Sequence, residues 1–165
     1  MSKIVYEQQY SVTYTHDLFS KGLLSECWRN AQGQLERPGD LPTIISYSDT
    51  GEETHRAWYV KGQLHRENGP AWQFIQRSTG TVVSEVWYRF GKEHRDGDLP
   101  ARIYRSHDTG RIVHEEYMKN GMTHRETGPA IINYHPDTGR PYRWEYWYND
   151  RKIPKKDWKA LIPTP

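Results

Sequence analysis

The sequence predicts an all-β fold, an antiparallel β-hairpin repeat meander of about four thirty-residue units closed by a short C-terminal helical cap. Three observations carry this. Aromatic residues recur at a fixed interval, glycine turns recur in step with them, and side-chain character alternates with a period of two between the turns.

The aromatic anchors are Trp28, Trp58, Trp87, Tyr117 and Trp147, spaced 30, 29, 30 and 30 residues apart. Two positions before them stand Glu26, Arg56, Glu85, Glu115 and Glu145. A second series follows each anchor: Arg37, Arg66, Arg95 and Arg125, the last three preceded by His65, His94 and His124, and then Pro42, Pro70, Pro100 and Pro129. A third series is Asp49-Thr50-Gly51, Ser78-Thr79-Gly80, Asp108-Thr109-Gly110 and Asp137-Thr138-Gly139, read as turns in which the leading aspartate caps its own backbone. The units are 28–57, 58–86, 87–116 and 117–150, within one domain spanning 1–165.

Each unit reads the same way. Val83, Glu85 and Trp87 alternate with Ser84, Val86 and Tyr88, as a strand requires. Phe90-Gly91, like Lys61-Gly62 and Asn120-Gly121, is a two-residue hairpin turn that needs positive φ. A return strand follows to Arg95. The proline loop then interrupts pairing, because proline has no donor for a ladder, and Ala101 to Arg105 extends again. Units one and three carry the longer loops "RPGDLP" and "RDGDLP", and units two and four the shorter "RENGP" and "RETGP". A sheet that tolerates two loop lengths accounts for this alternation, and a doubled unit is the other reading.

The ends are read as covers for the sheet edges. Residues 1–27 supply a strand over Ile4 to Tyr14 and a partial unit whose turn is Lys21-Gly22. Residues 151–165 replace the His-Arg pair, and Pro154 opens a short helix with Trp158, Leu161 and Ile162 on its apolar face.

Composition limits the core and the partners. Of 165 residues, 35% are hydrophobic and 13% aromatic, so the apolar surface is largely Trp and Tyr and the sheet is thin. A net charge of +2 gives no field that would select nucleic acid or an anionic membrane. The single cysteine, Cys27, has no partner for an intramolecular disulfide, and no apolar run is long enough to span a bilayer. A cytoplasmic protein without membrane contact is the expectation.

"WYVKGQLHRENGPA", "WYRFGKEHRDGDLPA" and "YMKNGMTHRETGPA" resemble the tandem W-x-x-N-G-x-x-H-R-x-x-G-P-A repeats of bacterial, phage and giant-virus proteins, which are similar in turn to MORN repeats. The resemblance covers about three quarters of the chain. It implies hairpin architecture and a scaffold for interactions, with a phage-encoded inhibitor of a host factor as a special case. The histidine is followed here by Arg where MORN repeats have Gly, so their lipid-binding role is not carried over.

Reactive chemistry is not expected. A catalytic group is unique in its protein, yet the His-Arg pair occurs three times, and equivalent histidines lie on the order of 10 Å apart across two strand spacings, too far to share a zinc ion. Each Arg is expected instead to stack on an aromatic or pair with the glutamate preceding an anchor. His16, His107, His114 and His135 read as surface histidines. Asp17, Asp108 and Asp137 lack the facing lobes that aspartic-protease chemistry needs. No phosphate loop, nucleophile elbow, cofactor motif or metal motif is present in the sequence.

The expected function is therefore non-enzymatic: binding another protein, a second copy of the chain included, through an aromatic and Arg-rich sheet face. The candidate contact residues are Tyr59, Trp72, Tyr88, Tyr104, Tyr134 and Tyr148. The alternative is a nucleic-acid- or glycan-binding protein whose rings stack on bases or sugars.

Overall fold

A computed structural model of the chain describes residues 10–17 and 22–158. The chain runs through β1 (Tyr10–His16), β2 (Leu23–Asn30), β3 (Ile44–Tyr47) and β4 (Glu53–Ala57), then makes a short hairpin, β5 (Tyr59–Val60) and β6 (Gln63–Leu64). It continues with β7 (Trp72–Ile75) and β8 (Val82–Val86), and a second hairpin, β9 (Tyr88–Arg89) and β10 (Lys92–Glu93). Next come β11 (Arg102–Arg105), β12 (Ile112–Glu116) and the hairpin β13 (Met118–Lys119) and β14 (Met122–Thr123). β15 (Ile131–Tyr134), β16 (Pro141–Tyr148) and β17 (Arg151–Ile153) complete the described residues. Eleven strands form one open antiparallel sheet in the order β1-β2-β3-β4-β7-β8-β11-β12-β15-β16-β17, and the three hairpins form separate two-stranded sheets.

The alternation of Val83 to Tyr88 predicted one strand, but the chain leaves the main sheet at the anchor. Trp87 donates its N–H to the Ala101 carbonyl, inside the main ladder, and accepts from the His94 N–H, inside the hairpin. Trp58 and Tyr117 divide their backbone bonds in the same way. The alternation is blind to this, because side chains keep their period while the pairing partner changes.

The small residue after each loop proline is where the chain re-enters the sheet. Ala101 donates to the Glu116 carbonyl while accepting from Trp87, so it is clamped from both sides, and Ala71 and Ala130 repeat the arrangement. All three are fully buried, as are Ala57 and Thr43, which takes the alanine position in unit one. A larger side chain has nowhere to go there. The rest of the core is thin, built around Ile45, Ile75, Val83, Val86 and Ile103.

The hairpin turns have both central residues at positive φ, as at Lys61-Gly62, Phe90-Gly91 and Asn120-Gly121, the geometry that matches strand twist. Successive hairpins join through these turns: the amides of Gly62, Gly91, Gly121 and Asp150 donate to the carbonyls of Leu35, Leu64, Glu93 and Thr123 in the unit before.

Two sequence expectations need correcting. The last anchor is Tyr146 and not Trp147: Tyr146 pairs with Ile153, the position held by histidine in earlier units, while Trp147 pairs with Lys152 within the terminal hairpin. Anchor spacings thus become 30, 29, 30 and 29, in step with long and short loops. In the Thr-Gly turns the cap is the threonine and not the aspartate, with Thr79, Thr109 and Thr138 hydroxyls accepting the amides of Thr81, Arg111 and Arg140. The expected C-terminal helix is not seen among the described residues, where helical backbone is reached only at the last of them, Trp158. Lys155–Asp157 form a turn, and Trp158 is buried with its ring 5.1 Å from Tyr146, covering the last anchor. Lys159–Pro165, the proposed strand residues Ile4–Gln9 and the Lys21 turn position lie outside the described residues.

Candidate interaction surface

The repeated arginines fold back onto their own anchors. Their guanidinium carbons lie 4.3, 4.0, 3.7 and 3.7 Å from the ring centres of Trp28, Trp58, Trp87 and Tyr117 for Arg37, Arg66, Arg95 and Arg125. Each also donates to the carbonyl of its loop proline, Pro42, Pro70, Pro100 or Pro129. The stacking expectation holds throughout, whereas the pairing with a pre-anchor glutamate occurs only between Arg37 and Glu26, at 2.9 Å.

The histidines join one unit to the next. His65, His94 and His124 accept at Nδ1 from the amides of Phe90, Asn120 and Asn149, the first turn residues of the following hairpins, at 3.4, 3.1 and 3.3 Å. Their Nε2 atoms meet Glu67, Asp96 and Glu126 at 2.9, 2.9 and 3.1 Å. An amide at Nδ1 and a carboxylate at Nε2 fix the Nε2–H tautomer and use both ring nitrogens.

Loop length has a structural consequence. The residue gained by a long loop delivers an aspartate to the next unit: Asp40 takes Nε and Nη2 of Arg66 at 2.9 and 3.1 Å, and Asp98 takes the same atoms of Arg125 at 3.0 and 3.0 Å. Units one and two are forked together, and so are three and four, which gives physical content to the doubled unit. Between units lie three equivalent clefts of about 330, 440 and 260 Å³ in chain order, the middle one the largest.

The candidate contact residues do not share a face. Tyr59, Tyr88 and Tyr148 lie on hairpin strands, with the Tyr88 hydroxyl bonded to Glu93 at 3.0 Å and its pKa pushed up to about 12 by burial and that carboxylate. Tyr148 packs on His124, ring centres 4.6 Å apart. Tyr134 lies on the side of the main sheet that carries Glu115, to which its hydroxyl donates at 2.6 Å. Only Trp72 and Tyr104 share a face of the main sheet, opposite to that of Tyr134.

On that face the register aligns Ser46, His55, Phe74, Ser84, Tyr104 and His114 side by side across six strands. Phe74 and Tyr104 are 41% and 38% exposed and flank the buried Ser84, about 10 Å apart across two strand spacings. Trp72 stands one step along the strand and meets His55, ring centres 5.1 Å apart. The Ser84 hydroxyl and His55 Nε2 have no hydrogen-bond partner among the described residues. Sequence reasoning passed over Phe74, because it sits outside the repeated positions and its neighbours only become visible from cross-strand register.

Beside this row is a charged cluster. Arg102 bridges Glu93 and Glu116 at 2.6 and 2.7 Å, and His114 lies 3.9 Å from Glu116 and 3.0 Å from the Asn133 side-chain oxygen. The Glu116 carboxylate, aided by Asn133 and opposed by burial, raises the His114 pKa from its ordinary value. Burial pushes Glu116 up, but His114, Arg102 and Thr123 outweigh it and its pKa falls. His55 is lowered by burial alone.

Among the described residues no helix is long and apolar enough to cross a membrane. Comparison with known proteins returned no matching family model, no matching curated relative and no matching solved structure.

Proposed function

We propose that this chain is a non-enzymatic, MORN-like hairpin-repeat scaffold that binds another protein, a second copy of itself included, through one face of its main sheet. The observation that carries the reading is the row His55, Phe74, Ser84, Tyr104 and His114, where large rings stay exposed beside buried polar atoms that lack partners. Exposed aromatics around a desolvated centre are the composition of interface hot spots. The repeated histidines and arginines support the non-enzymatic part, since both ring nitrogens of each histidine are engaged in holding units together and each arginine is stacked on its own anchor.

The contact set becomes Phe74, Tyr104 and Trp72, with Tyr59, Tyr88, Tyr134 and Tyr148 assigned to packing. A cytoplasmic scaffold, and a phage-encoded inhibitor of a host factor as its special case, stay within this proposal. The test is affinity capture with the intact chain and with a Phe74→Ser, Tyr104→Ser variant, alongside sedimentation over a range of concentrations. Loss of a specific partner, or of self-association, at unchanged unfolding midpoint is the expected result. Retention of the same partner by the variant overturns the face, and an oligonucleotide or glycan that competes for it replaces the protein reading.

A further inference from the structure

The three inter-unit clefts are built alike but filled differently. In the first, Asp40 gives its carboxylate to the Nε and Nη2 edge of Arg66 and its backbone carbonyl to the Trp58 indole N–H, at 3.1 Å. In the third, Asp98 takes the same edge of Arg125. The middle cleft lies after a short loop, and among the described residues no loop carboxylate reaches across it to the arginine.

Arg95 there stacks on Trp87 and spends Nη1 on Pro100, but its Nε and Nη2 edge has no acceptor among the described residues, nor has the Trp87 indole N–H. Arg37, the remaining member of the series, already has Glu26. Burial lowers the Arg95 pKa, whereas Asp98 offsets burial and leaves that of Arg125 raised. The carboxylates lining the middle cleft are engaged elsewhere, Glu67 with His65 and Asp96 with His94 and Arg89, and the two that act on Arg95 from beyond the lining are held as well, Glu85 by Arg105 and Glu115 by the Tyr134 hydroxyl.

We propose that the cleft between units two and three binds an aspartate side chain presented by a partner's loop, its carboxylate forked by Arg95 and its own carbonyl received by Trp87. The chain's loops state the ligand chemistry: both long loops read Gly-Asp-Leu-Pro, at 39–42 and 97–100, and both deliver that aspartate to an arginine of the same series. A guanidinium edge prefers a planar carboxylate in this bidentate geometry. The proposal rests on the protein-partner reading for the source of the aspartate, while the site itself stands on the cleft.

The probe is the capped tetrapeptide Gly-Asp-Leu-Pro, followed by nitrogen-15 NMR of arginine Nε–H and indole N–H signals. Millimolar peptide is expected to shift Arg95 and Trp87 and to leave Arg66 and Arg125 in place. Its Gly-Asn-Leu-Pro analogue, and the Arg95→Gln variant, should bind about tenfold more weakly or worse, as loss of a charged hydrogen-bond pair requires. Replacing 67–70 with the Asp-Gly-Asp-Leu-Pro of 96–100 fills the cleft from within: the indole signal should move to its bound position without peptide, and peptide binding should vanish. Equal binding by the asparagine peptide, by Arg95→Gln or by the loop replacement overturns the proposal, as does inorganic phosphate displacing the peptide at equal concentration. Absent peptide shifts with a partner still lost on Phe74→Ser, Tyr104→Ser would sink the cleft alone. Peptide binding with no effect of that double variant would sink the face alone.

Discussion

Truncating Arg66 to alanine separates the stacked contact from the ion pair. Arg66 makes three contacts: its guanidinium lies 4.0 Å over Trp58, its Nε and Nη2 fork onto Asp40, and Nη1 donates to Pro70 at 3.5 Å. The ring beneath is buried, so the stacked contact belongs in the upper part of the range of about 0.5–2 kcal/mol for such pairs. Asp40 has a side chain 45% exposed, which limits the fork to about 0.2–1 kcal/mol. The long Pro70 bond adds about 0.5 kcal/mol. Arg66→Ala should therefore cost about 2–3 kcal/mol and Asp40→Asn, which removes the charge but keeps a residue suited to the positive φ of 54° there, about 1 kcal/mol or less. Arg66→Lys keeps the charge but loses the planar stack and the fork, and should recover less than half of the loss. Urea unfolding with a constant slope measures all three. If Asp40→Asn costs as much as Arg66→Ala, or if lysine restores full stability, ion pairing holds the units together and the stacking argument fails.

Further predictions concern the joints and the charged cluster. Ala101→Leu should destabilise by about 1–3 kcal/mol in the same unfolding experiment, because the fully buried Cβ is clamped between two backbones. Lys61→Asn should stabilise by about 0.5–1 kcal/mol, since Lys61 is exposed at φ 47° and asparagine accepts that region more readily. The raised pKa of His114 means that the folded state favours its protonated form. Its contribution to stability is full below about pH 6.5 and is lost as pH rises through the folded value, so the difference between the intact chain and His114→Gln should shrink above neutrality. Glu116 has the opposite sign: its contribution is full above about pH 4.3 and is lost as pH falls, which Glu116→Gln should remove from the acid limb.

What the sequence made legible follows from what repetition preserves. Anchors, turns and the His-Arg-Gly-Pro-Ala run are set by local geometry, so positive φ at Lys61-Gly62 or a buried Ala71 can be read from one unit and checked in the next. Pairing partners are not local. Nothing between Ala57 and Tyr59 marks the change of ladder at Trp58, and Trp147 resembles an anchor although register gives that place to Tyr146. The alternating loops were visible, but only the reach of Asp40 and Asp98 into the following unit explains them. The row proposed for binding was illegible for the same reason, since Phe74 and Tyr104 become neighbours only across Ser84.

The claim beneath the whole account is that each repeated imidazole is a joint between hairpins. Long-range proton–nitrogen NMR of the neutral histidines, extended to scalar couplings across hydrogen bonds, reads it directly. His65, His94 and His124 should each appear as the Nε2–H tautomer with Nδ1 coupled to the amides of Phe90, Asn120 and Asn149. Freely exchanging tautomers, or Nδ1 atoms carrying protons and coupled to none of these amides, would contradict it.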